Sequence, residues 1–145
     1  MAEMTDEEVY DFLGDGTRTG HVATVRADGR AHVKPVWFVL DGTPEGFVLL
    51  FNTSSSSVAG RNLARDNRVS IAVDEPVAPY SFVIVEGTAE LIDEVDALRT
   101  SAAEIGGRYM GADRAEEYGK RNGVPGELLV KVTPVKVIGV RDLAD

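Results

Sequence analysis

The sequence predicts a mainly β (α+β) domain in which an antiparallel β-barrel carries its helices on the outside. Consecutive strand-like segments are joined by tight turns, which is typical of antiparallel sheets, and helical segments fall between or after these runs. The chain has 145 residues, the usual size of one domain, and neither an internal repeat nor a linker divides it. We therefore expect residues 1–145 to form a single domain.

A short helix opens the chain. Thr5 and Glu8 have the spacing of a capping box, and apolar residues follow at helical intervals. This pattern predicts a helix from about Asp6 to Leu13, which ends at Gly14-Asp15-Gly16.

Three strands are predicted next, and they span Thr19 to Arg26, Ala31 to Leu40 and Glu45 to Asn52. Asp28-Gly29 indicates a hairpin turn between the first two, and Asp41-Gly42 begins the turn before the third. Pro35 cannot donate a hydrogen bond to a ladder, so it marks an edge or a bulge. At such a place a sheet could face a ligand.

The second half of the chain alternates in the same way. Ser54 to Ser57 supplies an N-cap for a helix. The predicted elements are a helix over Val58–Asp66, strands over Asn67–Glu75 and Tyr80–Ile92, a helix from Asp93 to Gly106-Gly107, a helix over Asp113–Lys120, and a strand over Glu127–Val140. The run Phe82–Val85 is apolar on both faces, so either a second subunit or the chain's own helix covers its outer face.

Composition excludes several classes of function. Lys and Arg number 15 and Asp and Glu number 24, which gives a net charge of −9, the wrong sign for a general nucleic-acid binder. The absence of cysteine excludes disulfides, thiolate nucleophiles, iron–sulfur clusters and Cys-ligated zinc. No apolar run approaches the roughly 20 residues that cross a bilayer, and the acidic N-terminus is unlike a signal peptide. We expect a cytoplasmic protein that binds neither nucleic acid nor membrane.

One group of residues could bind an anion. The serine cluster precedes a predicted helix that carries Arg61 and Arg65 on one face, and Arg68 follows shortly after. Free N–H groups at a helix start and guanidinium groups both bind phosphate. Alternatively, these arginines form surface ion pairs with Asp66, Asp74 or Glu75. The residues alone leave both interpretations open.

The sequence contains no evident catalytic machinery of its own. His21 and His32 are the only histidines, no metal-ligand spacing is present, and no G-x-S-x-G motif occurs. Difficult chemistry would therefore need a bound cofactor. The remaining classes are a cofactor-dependent enzyme and a module that binds a small ligand.

Three segments resemble the pyridoxamine-phosphate-oxidase-like split β-barrel proteins. They are Gly20–Val25 with Asp28–Trp37, which is similar to the family's opening hairpin; Val58–Asp66 with Arg68–Ser70, which is similar to its helix-to-strand signature; and Tyr80–Ala89, which is similar to the strand that follows. The resemblance extends over roughly residues 5–141 and is greatest to the actinobacterial branch of flavin- and deazaflavin-dependent oxidoreductases.

This resemblance implies a homodimer with two cofactor sites at the subunit interface. Many members use the deazaflavin coenzyme F420, others use FMN, and some bind heme or biliverdin-like tetrapyrroles. The implied reaction transfers a hydride from reduced F420 to a small conjugated acceptor, such as a quinone, an enone or a tetrapyrrole. No residue is implied as a firm proton donor, although Lys34 and Tyr80 are candidates.

The resemblance also implies a cofactor site on particular residues. Val33, Lys34, Pro35 and Val36 would lie along the tricyclic ring; Asn52, Thr53 and Ser57 would contact the ring edge and ribityl chain; Gly60, Arg61 and Asn62 would hold the phosphate; and Tyr80 would reach across from the other subunit. Trp37 either stacks near the ring or belongs to the core.

One position departs from the family. Related sequences commonly carry a phosphate-binding lysine where this chain has Ala59, so a charge-assisted contact worth about 1.5–3 kcal/mol is expected to be missing. This departure keeps two alternatives open. One is a non-catalytic carrier of heme, flavin or another tetrapyrrole, with His21 or His32 among the possible heme ligands. The other is an FMN-dependent enzyme similar to pyridoxamine phosphate oxidase.

Overall fold

The computed structural model describes residues 1–145. Its elements in chain order are β1 (Ala2–Glu3), α1 (Asp6–Gly14), β2 (Gly20–Val25), β3 (Ala31–Val36), β4 (Val39–Thr43), β5 (Gly46–Ser54), α2 (Val58–Arg65), β6 (Arg68–Glu75), β7 (Ser81–Ile92), α3 (Val95–Met110), a 3-10 turn (Ala112–Arg114), α4 (Ala115–Asn122) and β8 (Glu127–Arg141). No helix is long and apolar enough to cross a membrane.

All eight strands form one antiparallel sheet, in the order β3-β2-β6-β7-β8-β5-β4, with the short β1 paired to β8. β3 and β4 stand at opposite ends of this order, yet only Trp37 and Phe38 separate them along the chain. The sheet must therefore curl until its two ends meet. The prediction of a mainly β split barrel with peripheral helices is confirmed.

The core fills the inside of this curled sheet. Fully buried side chains from four neighbouring strands meet there, among them Val22, Ile71, Val83 and Val130. Helix α1 closes one end with Leu13, which has no exposed surface. Its capping box is present as predicted, because the Thr5 hydroxyl accepts from the Glu8 N–H and the Glu8 carboxylate accepts from the Thr5 N–H.

The predicted single strand Ala31–Leu40 is wrong, because the chain changes sheet edges within it. β3 pairs with β2, whereas β4 pairs with β5. At the crossing, the Phe38 side chain is fully buried and its N–H donates to the Tyr109 hydroxyl rather than to a strand. A contact with a residue 71 positions later decides this break, so local strand propensity cannot reveal it.

Two predicted boundaries also move. Asp41-Gly42 lies within β4, and the turn follows at Pro44-Glu45, because Thr43 pairs with Gly46. Helix α3 does not end at Gly106-Gly107 but continues to Met110. A Cβ on Gly106 would lie 2.3 Å from the Cβ of Tyr118 on α4. The glycine therefore lets two helices approach each other, and it does not end the first one.

Strand β7 has one covered face in the single chain. Val83 and Val85 are fully buried in the core, whereas Phe82 and Ile84 lie on the opposite face and are only partly buried. On that face Ile84 pairs with Ile138, and Phe82 pairs with Val140.

A cleft between strand β3 and helix α3

Helix α2 begins with unpaired N–H groups beside the sheet. The N-cap Ser57 accepts from the Gly60 N–H at 3.0 Å, and its carbonyl accepts from the Arg61 N–H. The N–H groups of Val58 and Ala59 are left without partners inside the helix. No acidic residue stands in the first turn, although the protein carries 24 of them. The positive end of the helix dipole therefore remains free for an anion.

A chain of hydrogen bonds connects this helix start to β3. Ser57 gives its hydroxyl proton to the Ser54 carbonyl at 2.7 Å, so the proton between Ser57 and Thr53, whose hydroxyls lie 2.8 Å apart, comes from Thr53. The Thr53 hydroxyl in turn accepts from Lys34 Nζ at 3.5 Å. This contact is long and uses one of the three ammonium protons, so Lys34 keeps donors free for a ligand.

Gly60 is needed for the shape of the helix start. A Cβ at this position would lie 2.3 Å from the Ser54 carbonyl oxygen, which is backbone and cannot swing aside. The serine turn therefore packs directly on the first turn of α2.

An open cleft of about 380 Å³ adjoins this region. Its lining residues come from β3, β5, α3, α4 and the residues that precede β2 and follow β3, and they are Thr19, Lys34, Pro35, Val36, Trp37, Asn52, Ile105 and Asn122. Strand β3 forms one wall and is an edge strand, as Pro35 predicted. On the other wall, the Asn52 amide donates to the Ser101 hydroxyl of α3 at 3.1 Å.

An aromatic stack forms one end of the cleft. The rings of Trp37 and Tyr109 lie parallel, with centroids 5.0 Å apart and an interplanar angle of 3°, and Tyr118 meets Trp37 edge-on at 6.1 Å. Trp37 remains 41% exposed. It is thus a cleft wall with one supported ring face, and it is not a core residue.

Hydrogen bonds hold this stack in place. The Tyr109 hydroxyl donates to the Arg18 carbonyl at 2.7 Å and accepts from the Phe38 N–H. Burial raises the pKa of Tyr109, which keeps the hydroxyl protonated as a donor. The neighbouring Arg108 donates to the carbonyls of Phe38 and Leu13, and burial lowers its pKa. The end of α3 is therefore fastened to the β3–β4 crossing.

The three arginines of the predicted anion group have different roles. Arg68 forms an ion pair with Asp66 at 2.7 Å, and this contact lowers the pKa of Asp66 to about 2. Arg65 donates to the Val25 carbonyl and to Asn62. Arg61 takes part in no ion pair. Of the three, only Arg61 has a side chain with neither a hydrogen bond nor an ion pair, so it is the one most free to bind an anion.

The structure brings most of the predicted site together. Lys34, Pro35, Val36 and Asn52 line the cleft; Thr53, Ser57 and Gly60 follow along the hydrogen-bonded path; and Arg61 is exposed on the same helix.

Three predicted residues lie elsewhere. Asn62 is 4% exposed and uses its amide inside the protein, donating to Thr24 and accepting from Arg65. Val33 is exposed on the opposite face of β3 from Lys34, because neighbouring strand residues alternate between faces. Tyr80 is exposed in the β6–β7 loop and does not line the cleft of its own chain.

The contact that is expected to be missing at Ala59 stays a prediction. Ala59 is 1% exposed and faces the core, so its side chain does not point toward an anion at the helix start. A lysine at this position would begin in the interior and would have to extend outward to reach a phosphate.

Sequence reasoning missed the residues that α3 and α4 contribute. Ile105 and Asn122 line the cleft, and Ser101 positions Asn52, although they are some 50 to 90 residues from β3 and β5 along the chain. No local motif marks them. Neither histidine belongs to a metal cluster, because no group of three or more potential metal ligands occurs.

The fold is a small split β-barrel in which the start of helix α2, with no acidic residue in its first turn, lies beside an open edge strand. The sequence model of the pyridoxamine 5'-phosphate oxidase family matches residues 5–141. The chain belongs to this family, whose members include flavin-binding proteins and oxidoreductases. No curated protein matches the chain significantly.

Solved structures share this fold. The conserved hypothetical protein Rv2991 from Mycobacterium tuberculosis superposes with a TM-score of 0.81 and 24% identity, over 98% of this chain and 89% of that one. An F420 reductase superposes with a TM-score of 0.67 and 26% identity, over 88% of this chain and 94% of that one. A heme-binding protein from Mycobacterium smegmatis has a TM-score of 0.65 and 23% identity, over 97% of this chain and 55% of that one.

Proposed function

We propose that this protein is a coenzyme F420-dependent oxidoreductase that transfers a hydride to a small conjugated acceptor. The observation that carries the proposal is the continuity between the cleft at Trp37 and the start of α2, by way of Lys34, Thr53 and Ser57. A ligand with a flat ring at one end and an anionic tail at the other fits this arrangement. The similarity to an F420 reductase supports the choice of F420 over FMN.

The residues present fit such a cofactor at both ends. The cleft offers an edge strand and an aromatic wall for the ring, and the Asn52 amide offers a polar contact for the ring edge. The helix start offers free N–H groups, and Arg61 supplies positive charge without an acidic partner. Gly60, Ser57 and Thr53 hold the geometry of this end.

The chain's own contribution to the reaction is orientation and proton supply. When bound, reduced F420 supplies the hydride. Ile105 and Trp37 give the cleft apolar surface beside the place proposed for the ring, and a water-poor site favours transfer to the acceptor over side reactions. Lys34 lies on the cleft wall with ammonium protons to spare, and we assign it the return of a proton to the acceptor.

We further propose that the protein is a homodimer with cofactor sites at the interface. The outer face of β7 and β8 presents Phe82, Ile84, Ile138 and Val140 on one surface, and none of them belongs to the core. A second copy of the chain would cover this apolar surface and would bring its Tyr80 loop to the partner's cleft. Light scattering at micromolar concentration should give twice the mass of 15.6 kDa. A monomer that still binds F420 would refute the shared site.

The first test is a titration of the purified protein with F420, FMN and heme in parallel, followed by fluorescence or absorbance. Micromolar binding of F420 that weakens about tenfold in Arg61→Ala supports the proposal, since a charge-assisted hydrogen bond is worth about 1.5–3 kcal/mol. Arg30→Ala is the matched control, because Arg30 is exposed, pairs with Asp28 and is not among the residues that line the cleft. Binding of FMN or heme without F420 would contradict the assignment.

The second test addresses catalysis. Reduced F420 is mixed under anaerobic conditions with the protein and a panel of quinones and enones, and oxidation of F420 is followed by absorbance. Acceptor-dependent oxidation is expected, and it should fall in Lys34→Met while F420 binding changes less. Tight binding without oxidation of F420 by any acceptor would indicate a carrier.

A further inference from the structure

We propose that the Thr19 hydroxyl and the Asn122 amide bind the carbonyl oxygen of the acceptor, and that they select acceptors whose conjugated system ends in a carbonyl group. This inference rests on the proposed function, because it deepens the same site. It starts from two polar side chains to which the cleft described above gives no role. Thr19 lines the cleft from the loop before β2, and Asn122 lines it from the end of α4.

Both side chains have hydrogen-bond donors to spare. Neither the Thr19 hydroxyl nor the Asn122 amide forms a hydrogen bond within the chain. Both residues are partly buried, and the only buried side-chain polar atom without a partner is Nδ1 of His32, so the polar atoms of Thr19 and Asn122 keep accessible surface. A ligand in the cleft can therefore reach a hydroxyl donor and an amide donor.

Strand register places Thr19 beside Trp37. The β2–β3 ladder ends at the pair of Gly20 and Val36, so Thr19 and Trp37 are the next two residues to face each other beyond it. The hydroxyl of Tyr109, whose ring stacks on Trp37, donates at 2.7 Å to the carbonyl that precedes Thr19. Thr19 is thus held at the aromatic end of the cleft.

Helix α4 brings Asn122 to the same end of the cleft. Tyr118 meets Trp37 edge-on at 6.1 Å, and Asn122 follows Tyr118 by four residues on the same helix face. Lys34, which connects the cleft to the start of α2, precedes Trp37 by three residues, or roughly 10 Å of extended chain. The two polar side chains therefore lie at the end of the cleft that is distant from the proposed anion site.

The electrostatic surroundings suit an oxygen that gains negative charge. No Asp or Glu lines the cleft, although the protein carries 24 of them. The last turn of α4 carries Lys120 and Arg121, whose charges offset the negative end of the helix dipole beside Asn122. Ile105 and Trp37 add apolar surface, and a hydrogen bond beside such surface is stronger than one in water.

The proposed contacts act on the step in which charge develops. A hydride that reaches the β-carbon of an enone forms a C–H bond there and moves the π electrons onto the carbonyl oxygen, which becomes an enolate. The acceptor gains the two electrons that the cofactor loses, and the proton assigned to Lys34 then goes to the α-carbon. Donors that contact the carbonyl oxygen stabilise it more as its charge grows, so they raise the rate as well as the affinity.

The first experiment measures acceptor binding in the absence of F420. Trp37 is the only tryptophan, so its fluorescence reports what enters this end of the cleft. The protein is titrated with naphthoquinone and with naphthalene, which has the same fused rings without the oxygens. The quinone should bind more tightly, and Thr19→Val and Asn122→Leu should each weaken its binding about two- to tenfold while naphthalene binding stays unchanged.

Matched variants remove the same chemical groups from outside the cleft. Thr17→Val loses an exposed hydroxyl and Asn67→Leu loses an exposed amide, and neither residue lines the cleft, so both proteins should keep the preference for the quinone. Thr19→Ser retains the hydroxyl and should also keep this preference. If Asn122→Leu fails to fold, the comparison of Thr19→Val with Thr19→Ser decides the matter.

The second experiment measures turnover with reduced F420 and the quinone. Thr19→Val and Asn122→Leu should each lower kcat about a hundredfold, the usual effect of removing a donor to a developing oxyanion, while the Kd for F420 stays unchanged. A merely structural role would instead lower Tm and F420 binding together with the rate.

The outcomes separate the two proposals. If the unaltered protein does not bind F420 but prefers the quinone through Thr19 and Asn122, the proposed function fails and the carbonyl-binding site is supported. If F420 binds and is oxidised, but the unaltered protein binds quinone and naphthalene equally or the two variants keep its preference, only the assignment of Thr19 and Asn122 is overturned.

Discussion

Replacement of Asn62 by Ala tests whether this residue is a phosphate ligand or a structural bridge. The family resemblance implies the former, whereas the structure shows an amide that donates to Thr24 at 3.0 Å and accepts from Arg65 at 3.0 Å. Asn62→Ala removes both hydrogen bonds, each worth about 1 kcal/mol net, and leaves the hydroxyl of Thr24, which is 2% exposed, without its donor. We expect a loss of about 2–4 kcal/mol in the free energy of unfolding.

Such a loss is large for a domain of this size. It is a substantial part of the roughly 5–15 kcal/mol that stabilises a typical protein, and it corresponds to a fall of about 5–15 °C in Tm. Urea denaturation and a thermal melt measure it. A double variant, Thr24→Val with Asn62→Leu, should recover part of the loss, because removing both partners of a buried hydrogen bond leaves neither unsatisfied.

Arg61→Ala should affect F420 binding and leave stability almost unchanged, which is the opposite of the result expected for Asn62→Ala. Arg61 is exposed and forms no ion pair, so its removal should change stability by no more than about 0.5 kcal/mol while F420 binding weakens about tenfold. Asn62→Ala should have a lower free energy of unfolding, but it should bind F420 almost normally when binding is measured below its melting temperature. An Asn62→Ala protein that keeps its stability but loses F420 would refute the reasoning and restore Asn62 as a phosphate ligand.

Three further predictions concern the site and its supports. Gly60→Ala places a Cβ 2.3 Å from a backbone oxygen, so it should lower the free energy of unfolding by about 1–3 kcal/mol in a thermal melt and weaken F420 binding in a titration. Gly46→Ala is the control and should change neither quantity, because its Cβ would meet nothing within 4 Å. The ion pair with Arg68 lowers the pKa of Asp66 from 3.8 to about 2. The pair therefore stabilises the fold above pH 4, and this contribution is lost as the pH falls toward 2. In Arg68→Ala, the free energy of unfolding should depend less on pH over this range. Tyr109→Phe removes two hydrogen bonds and should cost about 1–3 kcal/mol in urea denaturation; the fluorescence of the single tryptophan should change little, because the ring stack remains.

Local patterns were sufficient for the elements whose ends depend on nearby residues. The capping box at Thr5 and Glu8, the N-cap at Ser57 and the hairpin at Asp28-Gly29 all form as predicted, because their hydrogen bonds join residues a few positions apart. The edge position of Pro35 follows from its missing N–H. The unpaired N–H groups at the start of α2 follow from the predicted helix in the same way, since a helix end exposes its N–H groups in any fold, whereas anion binding there stays a prediction.

Long-range contacts decided the rest. The break between β3 and β4 depends on Phe38, which is buried and bonded to Tyr109 of α3. The continuation of α3 through Gly106 depends on Tyr118, because only a residue without a side chain lets α4 approach so closely. Neither partner can be identified from the local sequence.

The sequence by itself determined the fold class, the anionic character of the chain, and the candidate residues on β3 and at the start of α2. Only the tertiary structure decided which of them face the cleft. In the folded chain the Asn62 side chain is buried, whereas that of Arg61 is exposed. Ile105 of helix α3 lines the cleft, although it is distant in sequence from the other lining residues. The physical reason is that composition and periodicity act on neighbouring residues, whereas a binding site depends on which faces of distant elements meet.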